Sequence, residues 1–278
     1  MSETNAKLKI ALVWYWDRAS EILPNWRDGL RAALEELERQ GHEIVWFLDK
    51  KIPDINSRWD AILFWDDSNS GFFEHVDSYD CGKGIFLTTD PQNFDNLRKL
   101  DVVFCESEPI YDSVRAQGIH AVRAFGTDTD FYTWSERKKT IPYFYPATFS
   151  LWKKQSSIAH LGKELTCIGT VQPDGVSELA ECLKMGVKVE EGYFPAEKIK
   201  SYYQRAEKVI IPAIHGSERT CLEAMACGIR PEVNRENVRT YSYIKELDAS
   251  GLTPREFVVK NYSAKQYASA ILKGICGA

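Results

Sequence analysis

The sequence predicts an α/β protein made of two domains, each built around a doubly wound parallel sheet. Apolar strand segments alternate with helical segments along both halves of the chain, as in sheets whose strands are joined by helical crossovers. The first strand segment, at 9–16, is an almost continuous apolar run, which is typical of a parallel strand buried on both faces. A charged stretch without apolar periodicity, at 133–142, separates the halves. We expect the two domains to face a cleft between opposed strand ends.

The first half contains five further predicted strands, joined by helical or turn crossovers. A helix is predicted over 26–40, because apolar residues recur there at helical spacing and Gly41 follows as a C-cap. The predicted strands lie at 42–48, 61–65, 84–88, 102–106 and 121–125, and the segments at 72–77, 92–100 and 110–117 are predicted helical or turn crossovers.

The second half repeats this alternation. Its predicted strands lie at 143–149, 164–168, 187–190 and 208–211, and its predicted helices lie at 153–161, 176–185, 196–206 and 264–274. We expect a first domain over 1–135, a second over 136–262, and a C-terminal helical segment, 263–278, that packs back on the first domain.

Composition limits the classes of function. The chain has 278 residues, 44% of them hydrophobic and 27% charged, which is ordinary for a globular protein. A net charge of −5 provides no electrostatic footprint for nucleic acid or an anionic membrane. The 7 cysteines are odd in number and lack CxxC spacing, so we expect a reducing, cytoplasmic location instead of a disulfide framework or zinc site. No apolar run approaches the length of a membrane span or has the form of a signal peptide.

A strand-loop-helix unit at 209–233 carries the strongest functional signal. The apolar strand at 209–211 runs into a loop that reads PAIHGS, and the next helix begins near Glu218 or Arg219 and ends at Gly228. Free backbone N–H groups and the positive end of the helix dipole favour a phosphate at such a helix start. Glu223 follows a little over one turn later, where its carboxylate can accept hydrogen bonds from sugar hydroxyls. The predicted donor-binding residues here are Gly216, Ser217, Glu218, Arg219, Thr220 and Glu223.

The segment LEAMACG at 222–228, followed by Pro231, resembles the GT-B glycosyltransferases, particularly their retaining family 4. In that Glu-x7-Glu motif the second glutamate falls on Glu223 and the first falls on His215. The resemblance implies two Rossmann-like domains, a ribose contact for Glu223, and a position facing the donor sugar for His215. We therefore predict His215 as the catalytic residue, either as a neutral hydrogen-bonding group or as an imidazolium near the diphosphate. Glu218 is a nearby carboxylate that can compensate for the missing glutamate.

The segment GTDTDF at 126–131 resembles a turn at the same place in this family. Its residues favour an Asp-rich turn, since Asp side chains bond neighbouring backbone N–H groups. Asp128 and Asp130 also form a DxD pair, but two carboxylates without a further oxygen ligand are a weak metal signal. We expect no metal.

Lys153 stands where the resembled family has a lysine that holds the donor diphosphate, whereas Thr148 stands where the family has an arginine. The alternative for Lys153 is a solvated surface position. Further along, Tyr193 and Phe194 lie in a strand-to-helix loop that the resemblance places near the nucleotide base. They can stack on the base or pack in the domain core.

Four residues of the first half are candidate acceptor or phosphate contacts. Trp16 and Arg18 follow the first strand, where the family has a Gly-rich loop, and Asp66 and Asp90 follow later strands. Trp16 can stack on a sugar or base, Arg18 can contact an anion, and either aspartate can orient an acceptor or act as a general base.

The resemblance implies a glycosyltransferase of the hexosyltransferase type, which takes a UDP- or GDP-sugar as co-substrate, retains anomeric configuration and needs no cofactor or metal. The acceptor is open among a glycan, a small molecule, a protein and a modified base of phage-type DNA. Two alternatives stay open, namely a non-catalytic nucleotide-sugar-binding protein and a UDP-sugar epimerase.

Overall fold

The computed structural model describes residues 7–25 and 27–277, which form two compact units. The first unit contains residues 7–24, Gly29–Phe125 and 264–277. The second contains residues 25, 27 and 28 together with Gly126–Ser263. Each unit has its own parallel sheet.

The first unit is built on six parallel strands in the order β2-β1-β3-β4-β5-β6. These strands are β1 (Lys9–Val13), β2 (Glu43–Phe47), β3 (Ala61–Asp66), β4 (Gly82–Leu87), β5 (Val102–Cys105) and β6 (Ala121–Arg123). The inner strands are apolar and buried over most of their length, because both faces of the sheet are covered. The doubly wound α/β prediction is confirmed for this half.

The helices that lie between these strands in the sequence are α1 (Ala19–Ile22), α2 (Gly29–Arg39), α3 (Phe94–Leu97) and α4 (Glu108–Ala116). The predicted helix at 26–40 corresponds to α2, and residue 26, where that prediction begins, lies outside the described residues. The predicted crossover at 72–77 is a pair of 3-10 turns, Gly71–Glu74 and Val76–Ser78.

The second unit is built on five parallel strands in the order β11-β10-β7-β8-β9. They are β7 (Ile141–Pro146), β8 (Leu165–Gly169), β9 (Lys188–Glu191), β10 (Ala206–Ile211) and β11 (Glu232–Val233). Its helices are α5 (Val176–Lys184), α6 (Ala196–Arg205), α7 (Glu218–Ala226), α8 (Val238–Ser250) and α9 (Pro254–Asn261).

The last helix, α10 (Ala264–Cys276), belongs to the first unit, where it packs against α2 and the β5 side of the sheet. Gly274 makes this packing close, because a β-carbon at that position would lie 2.5 Å from the ring of Phe104. No larger side chain fits there without a shift of that ring.

The chain changes units at Phe125–Gly126, earlier than the charged stretch at 133–142. The turn after Gly126 is held inside the second unit. Thr127 N donates to Tyr262 O at 2.8 Å, and Arg27 Nε donates to the Asp128 carboxylate at 2.7 Å. These contacts join residues that are remote in sequence.

The predicted helix at 153–161 is replaced by 3-10 turns over Gln155–Glu164. Lys154 has a left-handed φ of 54°, which prevents a regular helix from beginning before it. The side chain of Gln155 then turns back and donates to Thr148 O at 2.9 Å. Lys153 therefore lies in a turn and not at the start of an α-helix.

Helices α8 and α9 and strand β11 have no counterpart among the predicted elements. Helix α9 nevertheless has a local start signal, a capping box in which Thr253 and Glu256 each bond the other's backbone N–H. Across residues 7–25 and 27–277, we find no helix with the length and apolar character that crossing a bilayer requires.

Candidate functional site

The loop between β10 and α7 makes two unusual backbone turns just before the helix begins. Gly216 and Ser217 both have left-handed φ values, 70° and 75°. Ser217 is the residue before the first turn of α7, and its hydroxyl lies 3.2 Å from the Tyr145 hydroxyl of β7. Asn237 donates from Nδ2 to Gly216 O at 2.8 Å and so holds the loop from the other side. The loop is therefore braced before any ligand arrives.

Lys153 extends over this loop. Its Nζ lies 3.0 Å from Ser217 Oγ and 3.3 Å from His215 O. A β-carbon at Gly216 would lie 2.7 Å from the same Nζ, so only glycine allows this approach. Trp152 O also accepts from Ile214 N at 3.0 Å, which ties the two loops together. An ammonium group and the N-terminus of α7 thus lie side by side, an arrangement that favours an anion.

His215 lies in the same loop, partly exposed, and faces the first turn of α8. Its Nε2 is 3.3 Å from Nη1 of Arg239. Arg239 is 3% exposed, and its guanidinium also contacts the carboxylate of Glu218, a buried ion pair. The sequence suggested that the Glu218 carboxylate could compensate for the missing glutamate. In the structure this carboxylate is bound to Arg239.

Glu223 is buried in the second turn of α7. Arg219 Nε lies 3.0 Å from its Oε1, and Tyr203 donates its hydroxyl to Oε2 at 3.1 Å. Burial raises the pKa of the Glu223 carboxyl above its ordinary value, while Arg219 and the tyrosine hydroxyls act in the opposite direction. The carboxylate is 3% exposed and Arg219 is 43% exposed, so Arg219 is the member of this pair that reaches the surface.

Two threonines near the loop are bonded inside the unit. Thr220 donates from Oγ1 to Pro146 O at 3.0 Å, which anchors α7 to the end of β7. Thr148 shares a hydrogen bond with the hydroxyl of Thr170 at 3.0 Å. The Thr148 hydroxyl carries no charge, so Thr148 does not replace the cation that the resembled family has at its position.

The two aromatic residues of the loop after β9 have different environments. Tyr193 is 82% exposed, whereas the ring of Phe194 lies under the ammonium of Lys198 at 4.3 Å. Lys198 is itself paired with Glu190 at 2.6 Å. Tyr193 is therefore the residue of this loop with an open ring face.

Asp128, the first aspartate of the DxD pair, is bonded within the fold. Asp128 is 3% exposed and binds Arg27, and its second oxygen accepts from Phe131 N at 2.9 Å. This is the Asp-rich turn expected from the sequence. In the described ranges, 7–25 and 27–277, no three His, Cys, Asp or Glu side chains converge as a metal site.

In the first unit, Trp16 and Asp66 lie together at the carboxyl ends of β1 and β3. Trp16 stacks on Trp65 with ring centroids 5.5 Å apart, and its Nε1 donates to Asp66 Oδ1 at 3.0 Å. Burial raises the pKa of the Asp66 carboxyl, with the Trp16 N–H acting in the opposite direction. The ring of Trp16 is 45% exposed, so the stack presents an aromatic face.

Arg18 and Asp90 are the other two candidate residues of the first unit. Arg18 has a left-handed φ of 62° and its Nε donates to Glu21 Oε1 at 2.9 Å, with the side chain 76% exposed. Asp90 is exposed in the turn after β4, where its backbone oxygen accepts from the side chain of Gln92 at 3.0 Å.

Several residues that contact the loop were not predicted, among them Tyr145, Asn237 and Arg239. Asn237 precedes α8 and accepts from Thr240 N, a cap that its residue type could have indicated. Arg239 has no local signal, because its partners Glu218 and His215 come from a different helix and loop.

No protein-family model matches the sequence. No curated protein matches it either.

Solved structures do match the fold. AviGT4, a glycosyltransferase involved in avilamycin A biosynthesis, aligns with a TM-score of 0.65 at 14% identity, over 98% of this chain and 99% of that one. A mutant of T4 phage BGT, in complex with UDP-glucose, aligns with a TM-score of 0.57 at 11% identity, over 96% and 99%. WaaG, a glycosyltransferase involved in lipopolysaccharide biosynthesis, aligns with a TM-score of 0.52 at 12% identity, over 96% and 90%. With its two parallel sheets and their surrounding helices, the chain shares the GT-B glycosyltransferase fold with these proteins.

Proposed function

We propose that this protein is a glycosyltransferase that transfers a sugar from a nucleoside-diphosphate sugar. The observation that carries the proposal is the position of Lys153 Nζ, 3.0 Å from Ser217 Oγ at the start of α7. A leaving diphosphate gains negative charge as the bond to the sugar breaks. A fixed ammonium and the N-terminus of a nine-residue helix stabilise that charge without reorganising.

The nucleoside would extend from this diphosphate position toward the loop after β9. Tyr193 supports this part of the proposal, because its ring is 82% exposed and can stack on a base. We propose a UDP-sugar as the donor, since a neighbour of the same fold was solved with UDP-glucose. A GDP-sugar is the alternative.

The ribose contact is revised in this proposal. Glu223 is covered by Arg219, so its carboxylate acts on the donor only if Arg219 moves aside. Arg219 itself has N–H groups that can bond ribose or phosphate oxygens. We therefore propose Arg219, held by Glu223, as the outward member of the donor contact.

The finer features are part of the same proposal. The transferred group is a hexose, it moves with retention of configuration, and neither a metal nor a cofactor is required. In the first unit, Trp16 and Asp66 are the proposed acceptor contacts, since an aromatic face and a partly buried carboxylate suit an acceptor molecule with a hydroxyl group. A glycan, a small molecule, a protein or a modified DNA base has such a hydroxyl.

The proposal is tested by replacing each of two adjacent lysines with methionine in separate variants. Lys153→Met is expected to weaken UDP-glucose binding roughly 10- to 100-fold, the worth of a lost charge-assisted hydrogen bond. Isothermal titration gives the dissociation constants. Lys154→Met is the matched control, because this neighbouring lysine is not bonded to the loop before α7, and its effect should stay within about 2-fold. Equal affinities of the two variants for UDP-glucose would show that Lys153 does not bind the diphosphate.

A nucleotide-sugar-binding protein without catalysis is the second candidate. The covered carboxylate of Glu223 and the internal hydrogen bond of Thr148 favour it, because both reduce the contacts open to a donor. A panel of UDP- and GDP-sugars separates the candidates. A transferase releases the free nucleoside diphosphate, a binder only raises the melting temperature, and an epimerase changes the sugar without changing the donor mass.

A further inference from the structure

The contact between Arg239 and His215 assigns a protonation form to the histidine. Arg239 Nη1 lies 3.3 Å from His215 Nε2. A guanidinium has only N–H donors and does not deprotonate in proteins, so Nε2 must be the acceptor. An imidazole that accepts at Nε2 is neutral and carries its proton on Nδ1.

Arg239 is held firmly enough to impose this choice. Its side chain and that of Glu218 are each 4% exposed, and the two form an ion pair between the first turns of α8 and α7. Removing one member of such a buried pair leaves an uncompensated charge, which is strongly unfavourable. The guanidinium therefore has little freedom to turn away from the His215 ring.

Charged side chains from α8, α7 and the turn after β7 lie near the loop that carries His215. Arg239 approaches from α8, Glu218 from α7, and Lys153 from the turn after β7, with its Nζ 3.3 Å from His215 O. Positive charge for an anionic ligand is thus already provided by Lys153. A histidine beside it is more useful as a directional hydrogen-bonding group than as another cation.

We propose that Arg239 is a positioning residue, which fixes His215 as a neutral imidazole protonated on Nδ1 so that it serves the sugar donor as a hydrogen-bonding group. This role of Arg239 deepens the proposed function, and its effect on turnover rests on that function. The protonation form of His215 does not rest on it, which keeps the two questions separable.

Nitrogen NMR of the histidine rings tests the assignment directly. In protein labelled at its 5 histidines, the His215 resonances are identified by their loss in His215→Ala. The expected wild-type result near neutral pH is an unprotonated Nε2 and a protonated Nδ1. A ring protonated on Nε2, or on both nitrogens, overturns the proposal whatever the variants do.

A paired substitution then tests the role of Arg239. Glu218→Gln/Arg239→Met removes both charges together, so that neither is left buried alone, and should shift His215 toward protonation on Nε2. The matched control is Arg27→Met/Asp128→Asn, which removes another ion pair of the same unit, formed with the turn after Gly126. Its His215 spectrum should not change. An unchanged spectrum in the first variant, with its fold retained in circular dichroism, contradicts the proposal.

Turnover of UDP-glucose supplies the functional readout. Glu218→Gln/Arg239→Met should lower kcat roughly 10- to 100-fold, the effect of a misplaced catalytic group, with a smaller change in KM. In the His215→Ala background the same pair should cause no further loss, because Arg239 acts through His215. Additive losses overturn the positioning role. If the wild-type protein turns over no nucleotide-sugar, the proposed function fails while the NMR result still decides the state of His215.

Discussion

Single charged side chains in the second unit are held by partners that come from other elements. Lys153 reaches the loop before α7, Arg239 reaches Glu218, and Arg219 covers Glu223. Each contact changes what the charged residue can do. Glu223 in particular was predicted as an open acceptor for ribose, whereas its carboxylate lies under Arg219 and against Tyr203.

Burial of Glu223 predicts a specific pH dependence of stability. Its pKa is raised above the ordinary 4.5 by burial, so the folded state holds this proton more tightly than the unfolded chain does. Ionisation therefore costs stability as pH rises from 4.5 through the raised pKa. Glu223→Gln removes that cost. Urea unfolding at several pH values should show that the free energy of unfolding of the variant rises relative to that of the wild type across this pH window.

Glu190 provides a control of opposite sign. Its hydrogen bonds from Lys198 and Tyr202 lower its pKa, so its stabilising effect is present above the ordinary 4.5 and is lost as pH falls through the folded value. The free energy of unfolding of Glu190→Gln should therefore decrease relative to that of the wild type as pH rises. A Glu223→Gln profile that is flat, or that follows the Glu190→Gln profile, contradicts the burial argument.

At the scale of elements, the segment that leads from β7 to Lys153 rests on the turn before α5. Gln172 N donates to Phe149 O at 3.0 Å, and Gly175 N donates to Gln172 O at 2.9 Å. A β-carbon at Gly175 would lie 2.0 Å from Phe149 O. Glycine is therefore required by the close approach of two backbones.

Gly175→Ala should destabilise the protein by about 1–3 kcal/mol, because the Phe149 backbone must shift to admit a methyl group. Urea unfolding measures the loss. Gly71→Ala is the comparison, since its nearest neighbour is the ring edge of Tyr15 at 3.2 Å, a side chain that can move. A loss at Gly175 no larger than at Gly71 would mean that the two segments are not held as closely as described.

Elements with strong local patterns were predicted well, and elements without them were not. The helix that became α2 has apolar residues at helical spacing, and α7 begins at Glu218 as expected. The predicted helix at 153–161 was wrong, because hydrogen bonds of Gln155 and a left-handed Lys154 impose 3-10 turns. Side-chain bonds of this kind depend on the neighbouring loop and leave no periodic pattern.

At the scale of the whole molecule, the burial of the cysteines distinguishes the cores of the two units from their surfaces. All seven are free thiols, five of them buried, with Cys81 partly buried and Cys276 exposed. Burial raises the pKa of both Cys105 and Cys227 to about 12, so these thiols stay protonated at neutral pH.

Because the thiolate is the reactive form, native protein treated with iodoacetamide should be modified first at Cys276. Cys81 should follow slowly, since burial also raises its pKa, and the five buried cysteines should react only after unfolding. Peptide mass mapping over time follows each site. Equal rates at Cys276 and at a buried cysteine such as Cys167 in native protein would contradict the described cores.

The strand-helix alternation and the helix start at 218 could be read from the sequence, because apolar period and residue type act over a few neighbouring residues. They are enough for the α/β class and for the loop that carries His215. The strand orders, the stack of Trp16 on Trp65 and the contact of Arg239 with His215 required the folded chain. Each joins residues from separate elements, and burial and charge pairing between such residues arise only when tertiary packing brings them into contact.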